Sequence, residues 1–313
     1  MIVVAGLTPA FQQIMIYDAL RPGEVNRALD VRWCASGKVL NVAIALARLG
    51  GPLLTIAPLG GLAGRTIERE FEELDVPARW VFTRAATRVC TTVIERNPRR
   101  TTELVENAHA LSEDELHMYA EAFAPALHGA AYIVFTGSLP AGAPTSYFLD
   151  LIDRGQVPGS QLILDIRGPE MLATLPRKPL LVKPNREELE MTVGRKLSGE
   201  SDVIAAMREW VAKGAQWVLA SDGAGTTLLA SSQGAHRFTP RPVEKIENPI
   251  GCGDVLTAGI AWGLRAGRPM VEAVRIGMAC AAENLVELLP ARIDAKRALE
   301  RVEKVGVERI EGA

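Results

Sequence analysis

The sequence is short of the residues that mark metal, disulfide or nucleic-acid-binding proteins. Its four cysteines, Cys34, Cys90, Cys252 and Cys280, form no C-x-x-C pair, and its four histidines do not stand at ligand spacing with them. That usage excludes a zinc ribbon or a disulfide scaffold and fits a reducing, cytoplasmic compartment. Neither sign of charge dominates: 35 Lys and Arg stand against 37 Asp and Glu, a net charge of −2. No basic field therefore draws the chain to nucleic acid or to an anionic membrane surface. No apolar run reaches membrane-spanning length. Internal repeats, low-complexity tracts and long linkers are missing too. The opening residues Met1–Pro9 carry no positive leader and break at Pro9, so they read as a buried first strand rather than a signal peptide.

What is present is enough apolar chain for a large core. The 313 residues are 48% hydrophobic, which suits one large α/β domain or two modest ones. Ile2–Leu7 and Leu53–Leu59 read as buried strands, and Val39–Leu49 reads as a helix stopped by Gly50-Gly51. Thr66–Leu74 reads as a second helix. Ser112 begins a helix through Phe123, with Glu115 three positions on as in a capping box. From Tyr132 onward, strand and helix alternate: strands at Tyr132–Thr136, Gln161–Asp165, Leu180–Lys183 and Trp217–Ser221, helices at Pro144–Asp153, Arg186–Val193 and Val203–Lys213. The C-terminal third reads as largely helical. Such alternation predicts a parallel sheet covered on both faces, with its site at the carboxyl ends of the strands. Strand-rich segments at 8–35 and 80–106 interrupt the pattern. They predict a small β-sheet projecting as a lid from a single domain spanning 1–313, with Pro98-Arg99-Arg100 at a solvated hairpin tip.

The segment Asn248-Pro249-Ile250-Gly251-Cys252-Gly253-Asp254 runs straight into an apolar helical pattern. Unpaired backbone amides at a helix start attract phosphate oxygens, and glycine lets an anion approach closely. An aspartate there could take a proton from an attacking hydroxyl. The plain alternative is an ordinary helix cap.

Other segments carry weaker signals. Ser36-Gly37-Lys38 is not a P-loop, because Arg32 and Val39 replace the glycine and the hydroxyl residue that motif needs. It leaves Lys38 at a helix start, where it could hold a phosphate or simply be solvated. Gly60-Gly61-Leu62-Ala63-Gly64 lacks the spacing of a dinucleotide fingerprint and reads as a tight turn, which argues against an NAD enzyme. Gly137-Ser138 ends a strand where a site would lie. Asn185 and Glu188 share the first turn of a helix. They could organise Mg²⁺-bound water and phosphate, cap the helix, or do both. Ser221-Asp222-Gly223 could line a nucleotide or merely close a hairpin.

Taken in order, these segments resemble the ribokinase-like sugar kinases, the PfkB carbohydrate kinase family, over nearly the whole chain. The nearest branch is that of the 1-phosphofructokinases and tagatose-6-phosphate kinases. The resemblance rests on Gly23–Arg27, Ser36–Ala43, Thr87-Arg88, Gly137–Gly142, Lys183–Leu189 and Gly251–Asp254. It implies a three-layer α/β/α fold with a mostly parallel sheet and a small β-sheet lid, and an enzyme that uses ATP with Mg²⁺. It implies Asp254 as general base and Gly251, Cys252 and Gly253 as the anion hole. It implies Lys183, Asn185, Glu188, Ser221, Gly223 and Asn284 for the nucleotide, with Glu188 reaching Mg²⁺ through water. Gln12, Gly37, Lys38, Asn41, Arg88 and Ser138 fall at sugar-binding positions, Lys38 and Arg88 on the substrate's phosphate. Lid sheets of the family often pair, so a homodimer through the lid is expected.

Three departures bear on the sugar. Gln12 stands where the branch has a carboxylate, and an amide accepts weaker hydrogen bonds from hydroxyls. Val39 replaces a glycine and is expected to add bulk beside the substrate. Asp165-Ile166-Arg167-Gly168 brings an extra arginine towards the site. Two alternatives stay open: a kinase of an unphosphorylated sugar or nucleoside, and a non-catalytic sugar-phosphate or nucleotide sensor.

Overall fold

The first strand, β1 (Ile2–Ala5), faces two cores at once: Ile2 and Val4 belong to one apolar cluster, Val3 and Ala5 to another. A strand buried on both faces needs apolar residues at every position, which is why the run does not alternate. A computed structural model describes residues 1–223, 225–240 and 242–310 of the chain. After β1 come β2 (Ala10–Tyr17), β3 (Asp30–Ser36), α1 (Lys38–Arg48), β4 (Leu53–Gly60), α2 (Gly61–Glu73), β5 (Ala78–Thr83), β6 (Arg88–Arg96) and β7 (Arg99–Leu104). The middle holds α3 (Glu113–Phe123), β8 (Tyr132–Thr136), α4 (Tyr147–Arg154), β9 (Leu162–Asp165), α5 (Gly168–Thr174), β10 (Leu181–Val182), α6 (Arg186–Val193) and α7 (Glu200–Ala212). The remainder is β11 (Trp217–Ala220), β12 (Thr227–Ser231), β13 (Gly234–Thr239), α8 (Cys252–Arg265), α9 (Met270–Asn284), α10 (Ala295–Glu300) and β14 (Gly306–Ile310).

Ten strands form one sheet in the order β14-β13-β12-β11-β10-β9-β8-β1-β4-β5. From β5 to β11 the pairing is parallel, and β12, β13 and β14 add antiparallel strands at one edge. Residues of α1, α8 and α9 pack in the first cluster with Ile2 and Val4, and residues of α3, α4 and α7 in the second with Val3 and Ala5. Fully burying a side chain such as Leu40 or Phe135 contributes roughly 1.5–3 kcal/mol. Ser112 and Glu115 cap α3 reciprocally, each side chain accepting from the other's backbone amide.

The chain leaves β1 towards β4 on one side and towards β8 on the other, so the strand order reverses around β1. A crevice opens at the carboxyl ends of strands on either side of such a point. A second sheet of four strands, β3-β2-β6-β7, stands beside that crevice.

The structure departs from the sequence reading in two places. Residues 80–83 were expected in the lid segment, but β5 pairs with β4 in the large sheet. The C-terminal third holds β12, β13 and β14 in addition to the expected strand at Trp217 and its helices. Leu228–Ala230 is a short apolar run, and a run of that length does not separate strand from helix by periodicity. Gly60, at the end of β4, explains the glycine turn there: a Cβ on it would lie 1.9 Å from the Ala85 carbonyl oxygen, where the chain crosses towards β6. Among the described residues, no helix is long and apolar enough to cross a membrane.

Candidate functional site

Four strands of the large sheet deliver their ends to one edge. Gly137-Ser138 follows β8, Asp165 closes β9, Lys183 follows β10 and Ser221 follows β11. Asp165 is 1% exposed and is held from three directions. Lys38 Nζ lies 3.0 Å from Oδ1, Lys183 Nζ lies 3.3 Å from Oδ2, and the Thr257 hydroxyl donates to Oδ2 at 2.9 Å. Burial alone would raise the Asp165 carboxyl, but the two ammonium groups and the hydroxyl outweigh it and hold it below the usual range. Lys38 also approaches Glu188 Oε1 at 3.5 Å. Burial would lower its ammonium, yet the carboxylates of Asp165, Glu188 and Asp254 keep it above the usual lysine value.

Asp254 sits in the first turn of α8, 7% exposed. Its Oδ2 accepts a 2.7 Å hydrogen bond from Asn41 Nδ2 on α1. Burial, with the Asp165 charge adding to it, pushes the carboxyl up to about 6 against the pull of Lys38, the Asn41 amide and Lys183. A carboxylate poised there changes protonation close to neutral pH, as a general base requires. The residue that caps α8, Gly251, has φ 83°, a left-handed conformation that disfavours any side chain. A Cβ on it would stand 3.1 Å from Pro290 Cβ and 3.3 Å from Asn41 Nδ2. The amides of Gly251, Cys252 and Gly253 find no acceptor among the described residues. They leave free donors at the start of a 14-residue helix, the kind of end that attracts anions, with the Asp254 carboxylate one residue further on.

Asn185 and Glu188 make a capping box on α6: the Asn185 side chain accepts from the Glu188 amide at 2.7 Å, and Glu188 Oε2 accepts from the Asn185 amide at 2.9 Å. One Glu188 oxygen is therefore committed to the backbone and the other faces Lys38. No group of three or more metal-ligating side chains gathers among the described residues. That donor set fits Mg²⁺ only as an ion that arrives with phosphate oxygens and its own waters, which is how this ion is usually bound. Ser221 bridges to Asn185 in parallel β fashion, and its carbonyl accepts from the Arg186 amide at 2.8 Å. Gly223 follows in the exposed turn. Ser221 and Asp222 line a cavity of about 130 Å³ with Arg186, Glu200 and Thr226.

The other wall comes from the smaller sheet and the end of β1. Gln12, on β2, is 2% exposed and donates to the Thr92 hydroxyl at 2.7 Å. Arg88 opens β6, and its guanidinium donates only to carbonyls, those of Thr8, Pro9 and Glu106. No carboxylate forms an ion pair with it among the described residues, although Glu103 and Glu106 lie close enough to feel its charge. Gly37 joins β3 to α1. The Gly137-Ser138 turn lies against Thr8 and Lys38, since a Cβ on Gly137 would meet Thr8 Oγ1 at 3.0 Å and Lys38 Cβ at 3.9 Å.

Two residues sit differently from the sequence reading. Val39 does not crowd a substrate: it is 1% exposed and packs into the core against Gly6, whose added Cβ would lie 2.9 Å from Val39 Cβ. Asn284 is completely buried rather than open to a nucleotide. Its amide donates to the Ile250 carbonyl at 2.9 Å and to Cys252 Sγ at 3.3 Å, and its oxygen accepts from the Ala291 amide at 2.7 Å. It shapes the loop that leads into the Gly251–Gly253 amides. Asp165 and Thr257 were not singled out as site residues. The available signal was that Asp165 ends a buried strand on the site edge, whereas Thr257, one turn into α8, carries no local mark.

Comparisons place this geometry. Residues 1–288 match the pfkB family carbohydrate kinases. The 1-phosphofructokinase of Xanthomonas campestris pv. campestris is 33% identical over 264 residues, which covers 82% of this chain and 82% of that protein. Phosphofructokinase-2 from Escherichia coli, solved in complex with fructose-6-phosphate, superposes with a TM-score of 0.86 at 28% identity, covering 97% of this chain and 99% of that one. A possible 1-phosphofructokinase from Thermotoga maritima superposes at 0.89 with 18% identity over 99% of this chain and 100% of that one, and shows the shared fold. Kinases of this family use ATP, generally with Mg²⁺. The chain belongs to the pfkB family and is an ATP-dependent carbohydrate kinase.

Proposed function

We propose that the protein phosphorylates a hydroxyl of a sugar that already carries a phosphate, as a 1-phosphofructokinase or tagatose-6-phosphate kinase does. The observation that carries this reading is the pairing of the free Gly251–Gly253 amides with the buried Asp254 carboxylate in one helical turn. Names of the relatives support the substrate class, and the guanidinium of Arg88, which makes no ion pair among the described residues, supports a phosphate on the sugar.

In this reading, Arg88 and Lys38 hold the substrate phosphate, while Gln12 and Ser138 meet its hydroxyls. Held in place, the reacting hydroxyl faces Asp254, whose orientation Asn41 fixes. Asp254 takes the proton as the oxygen attacks the γ-phosphoryl group, and ADP leaves. Charge on the transferring group is met by the Gly251–Gly253 amides and by Lys183, whose Nζ would lie 3.8 Å from a Cβ on Gly253. Bound Mg²⁺, reached by Glu188 through water, would supply further neutralisation of the phosphate oxygens. Asn185, Ser221 and Gly223 line the nucleotide side. The four-stranded sheet serves as the lid that excludes water. Its half-exposed Trp33, stacked on Phe11 at 5.2 Å, supports pairing of two copies across that sheet.

A coupled ADP-release assay with MgATP against sugars, sugar phosphates and nucleosides tests the reading. Turnover on a phosphorylated ketohexose is expected. Turnover confined to an unphosphorylated sugar or nucleoside would move the specificity, and ATP binding without turnover anywhere on the panel would favour the sensor.

A further inference from the structure

Arg292 has no role in the reading above, yet it is tied to three partners, two of them from distant parts of the chain. Its side chain is 9% exposed. The guanidinium donates to the Ala35 carbonyl at 3.0 Å and the Pro290 carbonyl at 2.6 Å, and it pairs with Glu70 Oε1 on α2. The other Glu70 oxygen accepts from the Ala35 amide. Both backbone groups of Ala35 are thus taken by one ion pair. Ala35 faces Phe11 of β2 from the outer strand of the smaller sheet, so these groups would otherwise lie along the open edge of β3.

The two carbonyls that Arg292 joins lead to opposite sides of the site. From Ala35 the chain passes through Ser36 and Gly37 into α1, which carries Lys38 and Asn41. The Ser36 hydroxyl lies 3.2 Å from the oxygen of the same Asn41 amide that donates to Asp254. From the other carbonyl, Pro290 backs directly onto Gly251. The Leu288–Arg292 stretch is tied to the anion-hole loop twice more, by Asn248 Nδ2 on the Leu288 carbonyl at 2.9 Å and by Asn284 on the Ala291 amide. One branch of the guanidinium, Nη1, donates to both carbonyls while the other, Nη2, holds Glu70, so one planar group ties three partners at fixed angles, whereas a lysine ammonium is a single point.

We infer that Arg292, braced by Glu70, is a positioning residue for phosphoryl transfer: it sets the end of β3, with Lys38 and Asn41 behind it, against the Gly251–Gly253 amides. The inference rests on the assignment of Asp254 and those amides to the chemistry. It differs from a simple staple in what a lysine should do. Lysine keeps the ion pair with Glu70, and with it most of the stability, but its one nitrogen cannot sit at Glu70 and also at the Nη1 position that joins the two carbonyls.

The test compares wild type, Arg292→Lys, Arg292→Met, Glu70→Gln and Asp254→Asn, by thermal unfolding and by steady-state kinetics on the panel substrate. Arg292→Lys is expected to melt within a few degrees of wild type while kcat falls ~10- to 100-fold, the size of effect produced by a small misplacement of reacting groups. KM for ATP should change little. Glu70→Gln should give a smaller loss of kcat in the same direction. Wild-type kcat in a folded Arg292→Lys, with Asp254→Asn inactive, would overturn the inference and leave the proposed function standing. Wild-type turnover in Asp254→Asn would overturn both. If Arg292→Met fails to fold, the lysine and Glu70→Gln variants still decide the question.

Discussion

Asn41 Nδ2 lies 2.7 Å from Asp254 Oδ2, a bond between two residues 213 positions apart that joins the first helix to the helix that starts with the free Gly251–Gly253 amides. It gives the buried carboxylate one donor while Asp165 repels it from behind. The charged form of Asp254 is tolerated rather than favoured. That tension is the usual signature of a group kept for chemistry rather than for stability.

Replacing Asp254 by Asn should therefore separate activity from stability. The carboxyl is raised from 3.8 to about 6, so its contribution to stability is full below its unfolded value and is lost as pH rises through about 6. At neutral pH the ionised group is a net burden of ~1–3 kcal/mol, which the amide removes while still accepting from Asn41. We expect a higher melting temperature at pH 7 and a kcat lower by roughly 10²–10⁴. A variant that is both less stable and fully active would contradict both halves of the argument.

The same shift predicts the acid limb of the rate profile. A base must be unprotonated to accept the hydroxyl proton, so kcat/KM should fall as pH drops through about 6 and then by about tenfold per unit. Rates well below KM for the sugar, measured in overlapping buffers, check this. A profile that is flat across that region would mean that another group, or none, controls the step.

Asp165→Asn should act in two directions. Lys38 and Lys183 lose the carboxylate that holds them, and breaking a buried pair costs ~3–5 kcal/mol. Asp254 at the same time loses its like-charged neighbour, so the acid limb should move to lower pH. Urea unfolding reads the first effect and the rate profile the second. An unmoved limb would show that the Asp165 charge does not reach Asp254.

The free-amide helix start at Gly251–Asp254 and the Asn185–Glu188 capping box were legible in the sequence because their parts are neighbours: glycine, amide and carboxylate at fixed short offsets. The parallel sheet was legible because alternation of apolar runs and helical faces is also local. The Lys38–Asp165 contact was not, since its partners lie 127 residues apart and meet only through the order of β1, β8 and β9. Val39 misled for a related reason. Its place at the start of α1 was clear, but the direction of its side chain is set by Gly6 of the neighbouring strand segment. Asn284 misled because sequence position does not reveal that both ends of an amide are already taken.

Val39→Ala tests that correction. With the side chain in the core, the change removes two methyl groups from a packed site and should destabilise the protein by ~1–3 kcal/mol. KM for the sugar substrate should stay where it is. A large drop in that KM would restore the idea that Val39 crowds the substrate.

Arg88 carries the sharpest statement about what the substrate is. Its guanidinium makes three hydrogen bonds to neutral carbonyls and has no carboxylate in an ion pair among the described residues. Arg88→Met keeps the length of the side chain and part of its packing but deletes the charge. Loss of a charge-assisted bond to a phosphate should raise KM for the phosphorylated sugar by about tenfold or more and leave KM for ATP nearly unchanged. Steady-state kinetics with each substrate varied in turn measures both. An equal rise in the two constants would mean that Arg88 braces the carbonyls of Thr8 and Pro9 for the whole site. No rise in either would remove the phosphate from that end of the pocket, and an unphosphorylated sugar would become the better candidate.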